Sequence, residues 1–287
     1  MISLSDARGF KSDALAISMQ KLDRLKDVLL RLERVLVAYS GGVDSTLLLK
    51  VSRDVLGNEV VAVTTSSRTY PDRELEEAKE IAKMLGVRHV IIETHELEND
   101  NFASNPPDRC YYCKNELFSR LWQIAREFRL NYVLDGSNSD DVNDYRPGAR
   151  AAQEHGVRSP LREVGLTKNE IRALSREMNL PTWDKPPAAC LASRFPYGSR
   201  ITPEKLSQVE KAENVIRAVG IKQVRVRHHG NTARIEVPPA DFRKLLNTCT
   251  SGQIVQEMKR LGYDYVTLDL EGYRTGSMNE PLRKHEP

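Results

Sequence analysis

The sequence predicts an α/β fold, a parallel sheet with helices on both faces, joined to a smaller α+β domain at the C-terminal end. Three observations carry this. Short apolar runs alternate with helix-period segments through the first half of the chain. The first of those runs is broken by a glycine-rich turn that leads straight into a helix. From Ile221 onward the order changes to a hairpin, two helices and a last strand. Alternating strands and helices give a parallel sheet covered on both sides, and such sheets bind ligands at the carboxyl ends of their strands.

The elements follow in order. Ala14 to Arg34 places Leu15, Met19, Leu22, Leu25, Leu29 and Leu32 at helical spacing. Val35 to Tyr39 reads as a buried strand, and Thr46 to Val55 as a helix. Glu59–Thr64 is a second strand, Asp72–Leu85 a helix, Val87–Glu93 a third strand, Lys114–Phe128 a helix and Asn131–Leu134 a fourth strand. Thr167 to Asn179 has a helical pattern that Thr167 and Glu170 open as a capping box. Pro181, Pro186, Pro187 and Pro196 punctuate the segment after it, which is expected to be irregular. Pro203–Val219 is an amphipathic helix. Gln223–Arg227 and Thr232–Val237 alternate around Gly230 as a hairpin, Asp241–Asn247 and Gly252–Leu261 read as helices, and Tyr265–Leu270 is the final strand. The expected division is a domain at 1–200 and a second at 201–287.

Size and charge narrow the function classes. A chain of 287 residues, 40% hydrophobic and 29% charged, has the make-up of a folded enzyme rather than a disordered chain. Forty-three basic residues nearly balance forty acidic ones, which does not suit a dedicated nucleic-acid binder. No stretch reaches the roughly 20 apolar residues of a membrane span, and the N-terminus lacks the pattern of a secretory signal. A cytoplasmic location is expected, so the four cysteines read as thiols, metal ligands or catalysts.

Ser40-Gly41-Gly42-Val43-Asp44-Ser45 lies between a strand and a helix. Two glycines let the backbone turn tightly and approach a ligand. The following helix offers N–H groups and a positive dipole end, and Ser40 and Ser45 add hydroxyls, which together make a pyrophosphate site. Asp44 would repel phosphate, so a Mg²⁺ ligand is its better role. A plain glycine-rich turn is the alternative. The complete hexapeptide resembles the signature of PP-loop ATP pyrophosphatases. It is not the pattern that implies γ-phosphate cleavage. The resemblance implies that substrate attacks the α-phosphorus and that pyrophosphate leaves into the loop. Asp135-Gly136-Ser137-Asn138, at another strand end, is a candidate adenosine contact, with an ordinary Asp-Gly turn as its alternative. Thr64 on the second strand, Gly136 and Arg194 join the candidate cofactor-binding residues.

Cys110 and Cys113, two residues apart, precede a helix and read as a redox pair, half of a zinc site or part of an iron–sulfur site. Cys249 reads as a small buried hydrophobe. Cys190 sits among small residues with Arg194 and Arg200 close behind, which favours its thiolate. A cluster held by Cys110, Cys113 and Cys190 would leave one iron open to a sulfide.

Six segments together resemble one family: Ser40 to Ser45, Arg109 to Lys114, Asp135 to Asp141, Asp144 to Gly148, Ala189 to Gly198 and Glu271 to Gly276. The chain resembles the LarE family of ATP-dependent pyridinium-3,5-biscarboxylic acid mononucleotide sulfurtransferases across almost its whole length. The resemblance implies a role in making the nickel-pincer nucleotide of lactate racemase. ATP and Mg²⁺ would adenylate the mononucleotide's carboxylate, and sulfide or a sulfur-donor system would supply the sulfur. Family members use either a sacrificial cysteine at the Cys190 position or three cysteines around a [4Fe-4S] cluster, and the Cys110–Cys113 pair points to the cluster type. The second domain is then expected to bind the substrate phosphate through Arg225 and Arg227, which alternate along one strand, with a solvated strand face as the alternative. The resemblance makes Glu213 and Glu236 metal ligands, whereas the residues alone read as surface carboxylates. A homo-oligomer fits the same picture. The competing classes are a tRNA thiolase, an ammonia-using synthetase, which has no need of Cys190, and a nucleotide-binding regulatory module.

Overall fold

The structure, a computed structural model, describes residues 4–143, 147–274 and 276–280. Its elements run α1 (Leu4–Leu32), β1 (Val35–Ala38), α2 (Val43–Leu56), β2 (Val60–Ser66), α3 (Asp72–Met84), β3 (Arg88–Glu93), α4 (Asp100–Ala103) and α5 (Arg109–Glu127). They continue with β4 (Tyr132–Leu134), α6 (Pro147–Glu154), α7 (Pro160–Glu163), α8 (Lys168–Glu177) and α9 (Pro203–Ala218). The chain closes with β5 (Arg225–His229), β6 (Thr232–Glu236), α10 (Phe242–Leu246), α11 (Thr248–Arg260) and β7 (Tyr265–Leu268). Two compact units result. One holds Met1–Ser67, Asp72–Thr94 and Cys110–Pro187; the other holds Arg68–Pro71, His95–Arg109 and Ala188–Pro287.

The first unit is a four-stranded sheet in the order β3-β2-β1-β4, with every pair parallel. Strand side chains alternate faces, so β1 serves two cores. Val35 and Val37 join Leu25 and Leu29 of α1, Leu47 and Leu48 of α2, and Ile171 and Leu174 of α8. Leu36, with Val61 and Val133, joins Phe118, Leu121 and Ala125 of α5. A central strand buried on both faces has no use for polar alternation, which is why Val35–Ala38 is a continuous apolar run. The expected capping box is present: the Thr167 side chain accepts from the Glu170 backbone, and the Glu170 carboxylate accepts from Thr167 N at 2.8 Å.

Three boundaries differ from expectation. α2 begins at Val43, so Asp44 and Ser45 lie in its first turn. α5 begins at Arg109, so Cys110 and Cys113 are inside the helix rather than ahead of it. Pro106 and Pro107 stand just before its first turn, where proline does not obstruct a helix. β2 runs to Ser66, which leaves Thr64 inside the strand rather than at its end.

The second unit carries a three-stranded sheet in the order β5-β6-β7. β5 and β6 form the expected antiparallel hairpin, turning at Gly230 with φ +63; β7 adds in parallel to β6. Ala212 and Ile216 of α9, Val226, Ile235, and Ile254 and Met258 of α11 form its core. Among the described residues no helix is long and apolar enough to cross a membrane.

Candidate functional site

The glycine-rich loop Ser40–Gly42 ends β1 and opens α2. Gly41 adopts φ +64, a left-handed conformation that suits glycine, and a Cβ there would stand 2.9 Å from the Ala78 Cβ of α3. Gly42 is the N-cap of α2 and has no side chain to take up the helix's first N–H groups. Ser40 and Ser45 face each other, with hydroxyls 3.1 Å apart. Lys185 donates to the Gly41 carbonyl at 3.2 Å.

The Asp135–Asp141 segment is built onto this loop. A Cβ on Gly136 would lie 3.0 Å from the Ser45 nitrogen, so glycine is what allows β4's trailing backbone to touch the start of α2. Asp135 is fixed by Ser137 at 2.8 Å and Ser159 at 2.6 Å. Asn138 Nδ2 donates to Asp44 Oδ1 at 3.2 Å, and Lys168 Nζ pairs with Asp44 Oδ2. The Lys168 backbone N–H donates to Asp140 at 2.8 Å, which pins the head of α8 over the loop. Lys168 escaped the sequence reading because it lies 124 residues from Asp44; its place at the head of a capped helix was the available signal. Thr64 spends its hydroxyl on the Tyr39 carbonyl at 2.6 Å, with His89 Nε2 2.8 Å from the same oxygen. Of the expected nucleotide residues, Ser40, Gly41, Gly42, Asp44, Ser45 and Gly136 come together around one loop.

Cys110 and Cys113 lie one turn apart at the start of α5, so both thiols share a helix face. That spacing suits two ligands of one metal group. Cys190 precedes a 3-10 turn, Leu191–Arg194, in the second unit. Arg194 is held by other partners, the Glu213 carboxylate among them. Its guanidinium donates to the carbonyls of Ala189 at 2.8 Å and Cys190 at 3.0 Å, and Arg200 pairs with Asp100. The two arginines expected to activate the thiolate are thus engaged elsewhere. Cys249, expected to be buried, is exposed near the start of α11, because that helix turns its Ile254–Met258 side to the core. Among the described residues no group of three or more His, Cys, Asp or Glu is placed to hold a metal ion. Asp144, Tyr145, Arg146 and Thr275 of the sequence motifs lie outside the described residues.

Residues 34–104, from β1 through α4, match the family model described as queuosine biosynthesis protein QueC. An uncharacterized protein of Synechocystis sp. is 48% identical over 92% of this chain and 98% of its own length. Pyridinium-3,5-bisthiocarboxylic acid mononucleotide synthase of Lactiplantibacillus plantarum is 42% identical over 88% of this chain and 91% of its own. This chain belongs to the LarE family. It is an ATP-dependent sulfurtransferase of the PP-loop class. More distantly, the glutamine-hydrolyzing GMP synthase of Aeropyrum pernix is 26% identical over 63% of this chain and 38% of its own length.

In this LarE-family chain two buried carboxylates of the second unit each gather a pair of arginines. Glu213 and Glu236 are both fully buried, not surface carboxylates. Glu213 accepts from Arg194 at 2.7 and 3.0 Å and from Arg217 at 2.6 Å. Burial alone would raise its carboxyl, but the charge and hydrogen bonds of Arg194, with Arg217 and Arg225, outweigh it and lower the pKa to about 2. Glu236 accepts Arg227 in a fork at 2.9 and 2.8 Å. Arg227, expected to face a phosphate, also donates to Ser193 O at 2.7 Å and to the Ser277 hydroxyl at 2.8 Å. The oxygens expected to bind metal are therefore occupied by arginines, and Arg194 and Arg227 hold the turn that follows Cys190. Arg225 is buried beside the Tyr273 ring, 5.4 Å from its centre, and burial pushes its pKa down to about 10.

Proposed function

We propose that this protein uses ATP to adenylate a carboxylate of pyridinium-3,5-biscarboxylic acid mononucleotide and then delivers sulfur to that carbon. The carboxylate oxygen attacks the α-phosphorus, an acyl-adenylate forms and pyrophosphate departs. A sulfur nucleophile then adds to the acyl carbon and AMP leaves, giving a thiocarboxylate. The observation that supports the reading is the loop itself: a serine pair and two glycines stand at the head of a helix, where backbone N–H groups suit an anion, and Asp44 is held nearby by Asn138 and Lys168. Asp44 would hold Mg²⁺ there in exchange for its pair with Lys168, which is part-exposed, unlike the fully buried carboxylates of Glu213 and Glu236. The second unit, including residues 201–287, would bind the mononucleotide, with Arg225 as the phosphate contact and Arg227, Glu213 and Glu236 shaping its site.

For the sulfur source we propose a [4Fe-4S] cluster on Cys110, Cys113 and Cys190, recharged by sulfide or a sulfur-donor system. Support comes from the helical spacing of the first two, which a sacrificial Cys190 would not need. Iron and sulfide analysis of anaerobically reconstituted protein, with the mass at position 190 before and after turnover, tests this. About four irons per chain and product beyond one equivalent are expected, and Cys110→Ala should be as damaging as Cys190→Ala. Iron-free protein that stops at one equivalent, with dehydroalanine at position 190, would overturn the cluster and leave the adenylation chemistry standing.

A further inference from the structure

Lys185 lies in the proline-punctuated segment, where no regular element calls for a half-buried cation. Its backbone is locked: its N–H donates to Thr182 O at 2.9 Å, and Arg172 donates to the carbonyls of Trp183 and Lys185 at 2.7 Å each. The side chain, 13% exposed, donates to the Gly41 carbonyl at 3.2 Å and forms ion pairs with Glu74 at 2.8 Å and Glu77 at 2.7 Å. Glu74 is itself buried.

The peptide this lysine touches joins two glycines, Gly41 and Gly42. Rotating the Gly41–Gly42 peptide plane by half a turn changes ψ of Gly41 and φ of Gly42. Gly42 sits at φ -82, so the flip would carry it to a positive φ that only glycine accepts cheaply. Two adjacent glycines, needed for close approach to an anion, thereby remove the steric lock on that plane. A trans peptide points its carbonyl and its N–H in opposite directions, and no cis bond occurs among the described residues. Holding the Gly41 carbonyl toward Lys185 therefore turns the Gly42 N–H the other way. In the flipped state a carbonyl oxygen would replace that N–H and repel phosphate.

We infer that Lys185 is a positioning residue for the pyrophosphate loop: it clamps the Gly41 carbonyl so that the Gly42 N–H is presented to the departing pyrophosphate. This rests on the pyrophosphatase reading above. Glu74 and Glu77 neutralise the ammonium and fix its position, so its effect is on loop geometry more than on overall charge. A loop that spends only a fraction of its time in the binding-competent orientation has its apparent affinity reduced by that fraction.

The test compares pyrophosphate and AMP binding, by calorimetry with Mg²⁺, in the wild type, Lys185→Met and Lys185→Arg. AMP lacks the pyrophosphate and serves as the internal reference, because a loss of folded protein lowers both signals together. Lys185→Met is expected to weaken pyrophosphate by about 10-fold, the loss for a loop about one-tenth competent, with AMP changed less than two-fold. Lys185→Arg, which keeps a donor, should recover most of the loss. An unchanged pyrophosphate-to-AMP affinity ratio in Lys185→Met would overturn the inference. Should that variant not fold, Lys185→Gln, whose shorter side chain falls short of Gly41, replaces it on the same criterion. Wild-type protein that binds neither ATP nor pyrophosphate would instead defeat the parent reading, and the inference with it.

Discussion

Replacing Glu213 by glutamine removes one negative charge from the second unit and keeps the side chain's volume. The wild-type carboxylate is fully buried and accepts hydrogen bonds from Arg194, from Arg217 and from the Val226 N–H at 3.2 Å. Glutamine retains one acceptor oxygen and turns an N–H donor toward a guanidinium. Arg194, only 2% exposed, is left without its counterion. Breaking a buried ion pair from one side costs about 3–5 kcal/mol. At roughly 4 °C per kcal/mol, where the ranges for smaller and larger domains meet, the midpoint of the second unit should fall by roughly 12–20 °C. Both tryptophans, Trp122 and Trp183, belong to the first unit. Tryptophan fluorescence therefore follows that unit, whereas far-UV circular dichroism follows both, and the loss should be seen by the second probe. Acid titration supplies an independent check. The folded carboxyl is held at about 2, below its ordinary 4.5, by Arg194 and Arg217 against the opposing effect of burial. A depressed carboxyl contributes stability that is complete above pH 4.5 and is lost as pH falls toward 2. Wild type should show that acid slope, and Glu213→Gln should lack it. A variant within about 1 kcal/mol of wild type, with the acid slope intact, would refute this account of the buried ion pairs.

Other perturbations separate chemistry from folding. Asp44→Ala should abolish ATP-dependent pyrophosphate release while costing no more than about 1 kcal/mol of stability, since its pair with Lys168 is part-exposed; full activity in the folded variant would remove Asp44 from the mechanism. Gly41→Val should lose both activity and stability, because its Cβ would meet Ala78 at 2.9 Å and φ +64 disfavours a branched side chain, and a thermal melt with an ATP titration reads both. Arg225→Ala should weaken mononucleotide binding by roughly 10- to 150-fold, the worth of a charge-assisted contact, with ATP affinity unchanged by calorimetry. Arg227→Ala should instead lower the unfolding midpoint, because it leaves the buried Glu236 with Arg234 as its remaining arginine partner, and a thermal melt reads the loss.

The first unit was largely legible before its structure was known. The apolar run at Val35, the helix-period leucines of α1 and the Thr167 capping box are local patterns, and each is produced by contacts its own neighbours dictate. The nucleotide loop was readable for the same reason: strand, two glycines and a helix start lie in six consecutive residues. Boundaries moved where a neighbour extended an element, as when Arg109 rather than Lys114 began α5. Tertiary structure alone decided the charged residues. An arginine on a strand looks the same in sequence whether it faces solvent, a phosphate or a buried carboxylate, and only packing showed that Arg227 meets Glu236 and Arg194 meets Glu213. Lys168 and Lys185, 124 and 144 residues from the loop they touch, carry no local signature. Long-range pairing of charges depends on which elements the fold brings together, and sequence spacing holds no record of it.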